Sequence, residues 1–80
     1  MRGIMSREEI LKKVNEVFCD VFDDESLIIN ENTNQDDVDD WDSLAQISLI
    51  AAIENEFGIR LDTRTALHLK TVGEIIDAIM

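Results

Sequence analysis

The tripeptide Asp42-Ser43-Leu44 is the part of this sequence best suited to chemistry. It closes a long acidic stretch and opens an apolar, helix-forming one. A helix N-terminus projects from its bundle, leaves backbone N–H groups unpaired and carries the positive end of the peptide dipole. A serine hydroxyl at that point is accessible, and the local field favours a phosphate ester on it. Ser and Asp are also preferred helix caps, so a plain capping role for Ser43 or Asp42 is the competing reading of the same residues.

Other chemistries find less support. His68 is the single histidine and Cys19 the single cysteine, so neither has a ligand or base partner of its kind, and no disulfide can form within the chain. Cys19 reads as a packing residue or an inert thiol. The alternation Asn30, Asn32, Asn34, Asp36 imitates the start of a calcium loop. It fails at the sixth position, where Gln35 replaces glycine, and at the twelfth, where Trp41 replaces glutamate. Gly3, Gly58 and Gly73 are isolated, so there is no glycine-rich phosphate loop. Carboxylates abound, but none sits in a recognisable catalytic context. The expectation is a protein that is not an enzyme, with no catalytic residues and no resident metal.

The elements that must position Ser43 can be read from period and caps. Ser6-Arg7-Glu8-Glu9 forms a capping box, and Ile10, Leu11, Val14, Val17, Phe18 and Val21 follow at helical spacing, which predicts a helix to about Phe22. Asp23-Asp24-Glu25 oppose the negative end of its dipole and stop it. Residues 23–42 show no sustained period and read as a long loop, pinned to the core by Leu27, Ile28 and Ile29. Loops of this length in a compact domain are often functional.

A second helix is predicted from Asp42 or Ser43 to about Phe57, with Gly58 closing it. Its wheel carries two apolar groups. Gln46, Leu49, Ile50, Ile53 and Phe57 form the expected core stripe. Leu44, Ile47 and Ala51 lie on another side and must either pack on a neighbouring helix or face a partner. Asp62-Thr63 caps a short helix to about Leu69, and Thr71-Val72-Gly73-Glu74 opens a last one. The fold class expected is all-α: a four-helix bundle of three longer helices and one short one, forming a single domain over residues 1–80.

Charge narrows the range of partners. Seven basic residues against 18 acidic ones give a net charge of -11 in an 80-residue chain. From Val14 to Ile59 there is no Lys or Arg, and thirteen carboxylates stand there alone. A one-signed field of this kind steers basic partners, and otherwise serves solubility. It argues against nucleic acid, whose phosphates need a basic face. The longest apolar run, Leu49 to Ile53, is far short of the roughly 20 residues of a membrane span, so no membrane is expected. Arg2 is followed by no apolar segment, so no secretory signal is visible and a cytoplasmic location is expected. No feature calls for an oligomer, and a monomer is expected.

The stretch from Asp42 to Ile59, DSLAQISLIAAIENEFGI, resembles the central helix of the acyl carrier proteins. The resemblance extends over essentially the whole chain: first amphipathic helix, long loop, DSL motif, central helix, short third helix and a Thr-Val start to the last. It implies that Ser43 receives 4′-phosphopantetheine from coenzyme A through a separate phosphopantetheinyl transferase. It implies that Asp42 helps engage that transferase, and that the arm's thiol carries acyl groups as thioesters. It also implies docking to acyl-loading and acyl-processing enzymes through basic patches on them, with Leu44, Ile47, Ala51, Glu54, Asp39 and Asp40 as this chain's side of the contact. The aliphatics Leu49, Ile50, Ile53, Val72 and Ile76 become candidates for sheltering an acyl chain.

The chain departs from fatty-acid carriers in places. Ala45, Ser48 and Asn55 stand where those carriers place acids, and the acids cluster instead at Asp36, Asp37, Asp39 and Asp40. Trp41 stands where a small residue is usual. The Trp-Asp-Ser-Leu form is similar to discrete carriers of dedicated pathways. The function expected is acyl carriage in fatty acid or specialised lipid and polyketide-like biosynthesis. The alternatives are a D-alanyl or other aminoacyl carrier, and a helical adaptor that never bears a cofactor.

Overall fold

A computed structural model describes residues 6–80. The expectations about Arg2 and Gly3 lie outside the described residues. Four α-helices follow in order: α1 (Arg7–Val21), α2 (Ser43–Phe57), α3 (Thr63–Leu67) and α4 (Val72–Ile79). Among the described residues there is no strand, so the all-α expectation holds.

Each helix begins where its side chains can satisfy free amides. Ser6 and Glu9 form a reciprocal capping box at α1, and Thr71 and Glu74 form another at α4. Asp62 caps α3 by accepting from Thr65 N. Gly58 ends α2 at φ 64°, a left-handed conformation that costs glycine little. Asp23 takes a similar turn at φ 52° as the chain leaves α1.

Periodicity places the core. α1 contributes Ile10, Val14, Val17 and Phe18, α2 contributes Leu49, Ile50 and Ile53, and α4 contributes Val72, Ile75 and Ile76. α1 packs on both α2 and α4, and α2 packs on α3. Phe57 is only half-buried, because it lies in the last turn of α2, where the stripe leaves the bundle.

The loop from residue 23 to 42 is more ordered than its composition suggests. It contains a 3-10 turn, Gln35–Asp37, capped by Asn34. It is hooked to the start of α4: Val72 N donates to Thr33 O and Gly73 N donates to Glu31 O, both at 2.9 Å. One residue expected to pin the loop does not. Ile29 is buried and Leu27 half-buried, but Ile28 is 87% exposed. Asn15 donates to Leu27 O and accepts from Ile29 N, which holds these two residues against α1 and leaves Ile28 between them facing out. The third helix also stops at Leu67 rather than Leu69. His68 caps it, and Leu69 turns back into the core with its N–H on Ala66 O at 3.3 Å.

Candidate functional site

Cap duty at the start of α2 belongs to Asp42. Its Oδ1 accepts from Ala45 N at 2.8 Å, while its own carbonyl accepts from Gln46 N at 2.8 Å. Ser43 is the first residue of the helix, its side chain is exposed, and its hydroxyl has no hydrogen-bond partner among the described residues. The two readings of this dipeptide are thereby separated: the aspartate serves the helix and the serine remains free. The 15-residue helix behind Ser43 aligns its peptide dipoles toward this end.

Immediately before this dipeptide, the chain is anchored by a buried polar network. Trp41 is 4% exposed and stacks edge-to-face on Phe18, with ring centroids 5.0 Å apart. Its Nε1–H donates to Gln46 Oε1 at 2.6 Å. The Gln46 amide nitrogen in turn donates to Ala66 O at 2.8 Å and Leu69 O at 3.1 Å. Gln46 is 1% exposed, and three of its four hydrogen-bonding positions are filled here. The network clamps the loop, the first turn of α2 and the end of α3 into one body, with Asp42 and Ser43 held between its members. Sequence periodicity put Gln46 on the core stripe but gave no sign of its partners. The one hint was an indole just before a helix whose core stripe carries an amide.

The remaining expected residues fall into two groups. Leu44, Ile47 and Ala51 are all exposed, Leu44 to 76%, so the second apolar group does not pack on a neighbouring helix. Ile47 and Ala51 form one wall of a groove of about 290 Å³ between α2 and α3, which Ile50, Ala66 and Leu67 continue. Glu54 borders this groove, and its carboxylate is engaged within the chain, accepting from Leu61 N at 2.7 Å. Asp39 and Asp40 are exposed and share a cleft with Asp24 and Asp37. The fold thus gathers acids from two separate parts of the long loop. No group of carboxylates, His and Cys among the described residues is arranged to hold a metal ion. None of the described helices is long and apolar enough to cross a membrane.

The site is thus an exposed serine at the head of the second helix of a short, acidic helical bundle. The family described as "Phosphopantetheine attachment site" matches residues 12–79. The acyl carrier protein of Lactobacillus acidophilus is 36% identical over 75 residues, covering 94% of both chains. That of Thermosynechococcus vestitus is 36% identical over 76 residues, covering 94% of this chain and 93% of the relative. Among solved structures, the holo acyl carrier protein of Geobacter metallireducens superposes with a TM-score of 0.78 at 33% identity, over 86% of this chain and 79% of that one. The chain belongs to the phosphopantetheine-attachment family, among the acyl carrier proteins. It is a carrier and not a catalyst, and its prosthetic group is phosphopantetheine.

The local structure fits that group. An exposed, unpartnered hydroxyl is what a phosphodiester linkage requires, and the first turn of α2 offers the positive end of a dipole to its phosphate.

Proposed function

We propose that Ser43 is the attachment point of 4′-phosphopantetheine, and that the chain acts as a discrete, monomeric, cytoplasmic carrier domain. The supporting observation is the division of labour at the head of α2, where Asp42 caps the helix and leaves the Ser43 hydroxyl exposed and unengaged. When bound, the arm supplies a thiol that carries acyl groups as thioesters. The residues of this chain supply the rest. Asp42 holds the first turn in place and presents a carboxylate beside the serine to the phosphopantetheinyl transferase. Leu44, Ile47 and Ala51 offer a small apolar contact to the transferase and to acyl-loading and acyl-processing enzymes. Asp39 and Asp40 attract basic patches on those enzymes before contact, raising the encounter rate without slowing release, since exposed ion pairs contribute only about 0–1 kcal/mol each.

The cargo pathway proposed is fatty acid or specialised lipid and polyketide-like synthesis. Acids concentrated in the loop, with only Glu54 and Glu56 on α2, support partners whose basic residues face the loop rather than the helix. The test is mass spectrometry after incubation with coenzyme A and a broad-specificity transferase. A mass gain of one arm that disappears in Ser43→Ala is expected. A protein that gains no mass, or gains it in Ser43→Ala, would instead be an adaptor or carry the arm elsewhere.

A further inference from the structure

An apolar chain tethered at Ser43 would enter the bundle by parting two helices, and α2 and α3 flank the groove that starts one turn away. The seam between them is not held by apolar packing alone. Gln46, three residues after Ser43, hydrogen-bonds the carbonyls of Ala66 and Leu69 on the far side, and receives the Trp41 indole N–H on the near side. Ala66 lines the groove, and the amide bound to its carbonyl is cut off from solvent. The indole occupies the space against Phe18.

An alkyl chain has no donor or acceptor to replace these bonds. Passing this point would leave the Trp41 indole N–H, the Gln46 amide and the Leu69 carbonyl unpaired in an apolar interior, where such groups are costly. Leu49, Ile53, Val72 and Ile76, which could line a shelter, are fully buried in the core behind this network, while Ile50 also lines the groove. A short or polar acyl group has little apolar surface to hide and needs no such shelter.

We propose that Trp41 and Gln46 bar the core to the cargo, so that this carrier bears short or polar acyl groups held outside the bundle. The proposal rests on the carrier reading above and narrows its substrate class.

The test loads the protein with acetyl, hexanoyl and dodecanoyl arms from the corresponding coenzyme A thioesters and records amide and methyl NMR spectra. In the wild type, the Trp41 indole signal, the Gln46 side-chain amide and the Leu49 and Ile53 methyls are expected to stay in place for all three arms. In Trp41→Phe, which keeps a ring but loses the donor, or in Gln46→Ala, the dodecanoyl arm is expected to shift those methyls. Movement of the methyls by dodecanoyl in the wild type overturns the proposal. So does a dodecanoyl arm that remains outside in both folded variants. Should the variants not fold, the wild-type series decides alone. If the transferase leaves Ser43 unmodified, the carrier reading fails separately. The same alkyl chains, attached by disulfide exchange to Ser43→Cys in a Cys19→Ala background, then decide whether the core is barred.

Discussion

The Gly73 amide donates to the carbonyl oxygen of Glu31 at 2.9 Å, and a Cβ on Gly73 would stand 3.0 Å from that same oxygen. The loop therefore lies against the first turn of α4 so closely that a Cβ there would push the Glu31 carbonyl back by a few tenths of an ångström. Replacing glycine by alanine within a helix ordinarily adds about 0.5–1 kcal/mol of stability. Here Gly73→Ala is expected to reverse that sign, with a net loss of about 1 kcal/mol, because the Glu31 carbonyl must yield while its own bond from Gly73 N and the neighbouring one from Val72 N to Thr33 O hold the loop in place. Urea denaturation measures the difference. A gain in stability would show that the loop moves aside freely.

Gln46→Leu keeps the approximate volume of the side chain but strands the Trp41 N–H and the Leu69 carbonyl, while the Ala66 carbonyl keeps only the Leu69 N–H. The expected loss is about 2–4 kcal/mol. Hydrogen exchange at the Leu69 amide, which closes the end of α3, should accelerate more than exchange in the middle of α1. Uniform acceleration would mean that the clamp has no local effect on α3.

Asp42 and Ser43 should separate cleanly by mutation. Asp42→Ala removes the cap on α2 and is expected to cost about 1 kcal/mol. Ser43→Ala removes an exposed hydroxyl with no partner among the described residues and should stay within about 0.5 kcal/mol of wild type. Thermal melts of the unmodified proteins decide this. A large destabilisation by Ser43→Ala would return the serine to a structural role.

Acid should weaken one specific tie. The Arg7 guanidinium donates from Nε and Nη2 to the Glu31 carboxylate, at 3.1 and 2.6 Å, and from Nη1 to Asp77 at 2.6 Å. Hydrogen bonding to Arg7 holds the Glu31 carboxyl below its ordinary value of 4.5. A lowered folded-state pKa means a contribution that is complete above that ordinary value and lost as pH falls through the lowered one. The stability difference between wild type and Glu31→Gln should thus be largest near neutrality and shrink in acid below about 4.5. A difference that does not change with pH would remove Arg7 as its source.

Salt acts on the loop acids. Asp24, Asp37, Asp39 and Asp40 share one cleft, and the mutual repulsion of exposed carboxylates is screened over about 8 Å at physiological ionic strength. Added salt or divalent cations should raise the melting temperature. Reversing Asp39 and Asp40 to Lys should slow modification by the transferase at low salt and converge with wild type at high salt. Equal rates at low salt would show that these two acids do not steer.

Local signals in the sequence carried most of the fold. The capping boxes at Ser6 and Thr71 marked the starts of α1 and α4, and the apolar period of α1 marked a helix that ends within a residue of expectation. Gly58 marked the end of α2 equally well. What stayed hidden depends on contacts distant in sequence. Gly73 read only as an isolated glycine in a capping sequence, because its reason for being glycine is a carbonyl 42 positions earlier. Ile28 read as an anchor, because nothing in the hydrophobic triplet Leu27-Ile28-Ile29 states which member faces out. The exposed position of Ser43 was legible from the DSL start of a helix. The Trp41–Gln46 clamp was not, since a buried amide in a core stripe is informative only once its partners are known.

The Arg7 to Asp77 contact spans 70 positions of sequence, yet it places the start of α1 beside the last turn of α4. A short glycine-serine bridge between those ends would close the chain at small entropic cost. New ends could then be opened in the exposed turn at Asp23–Glu25, giving a circular permutant in which the order of the helices changes and the clamp around Ser43 is left intact.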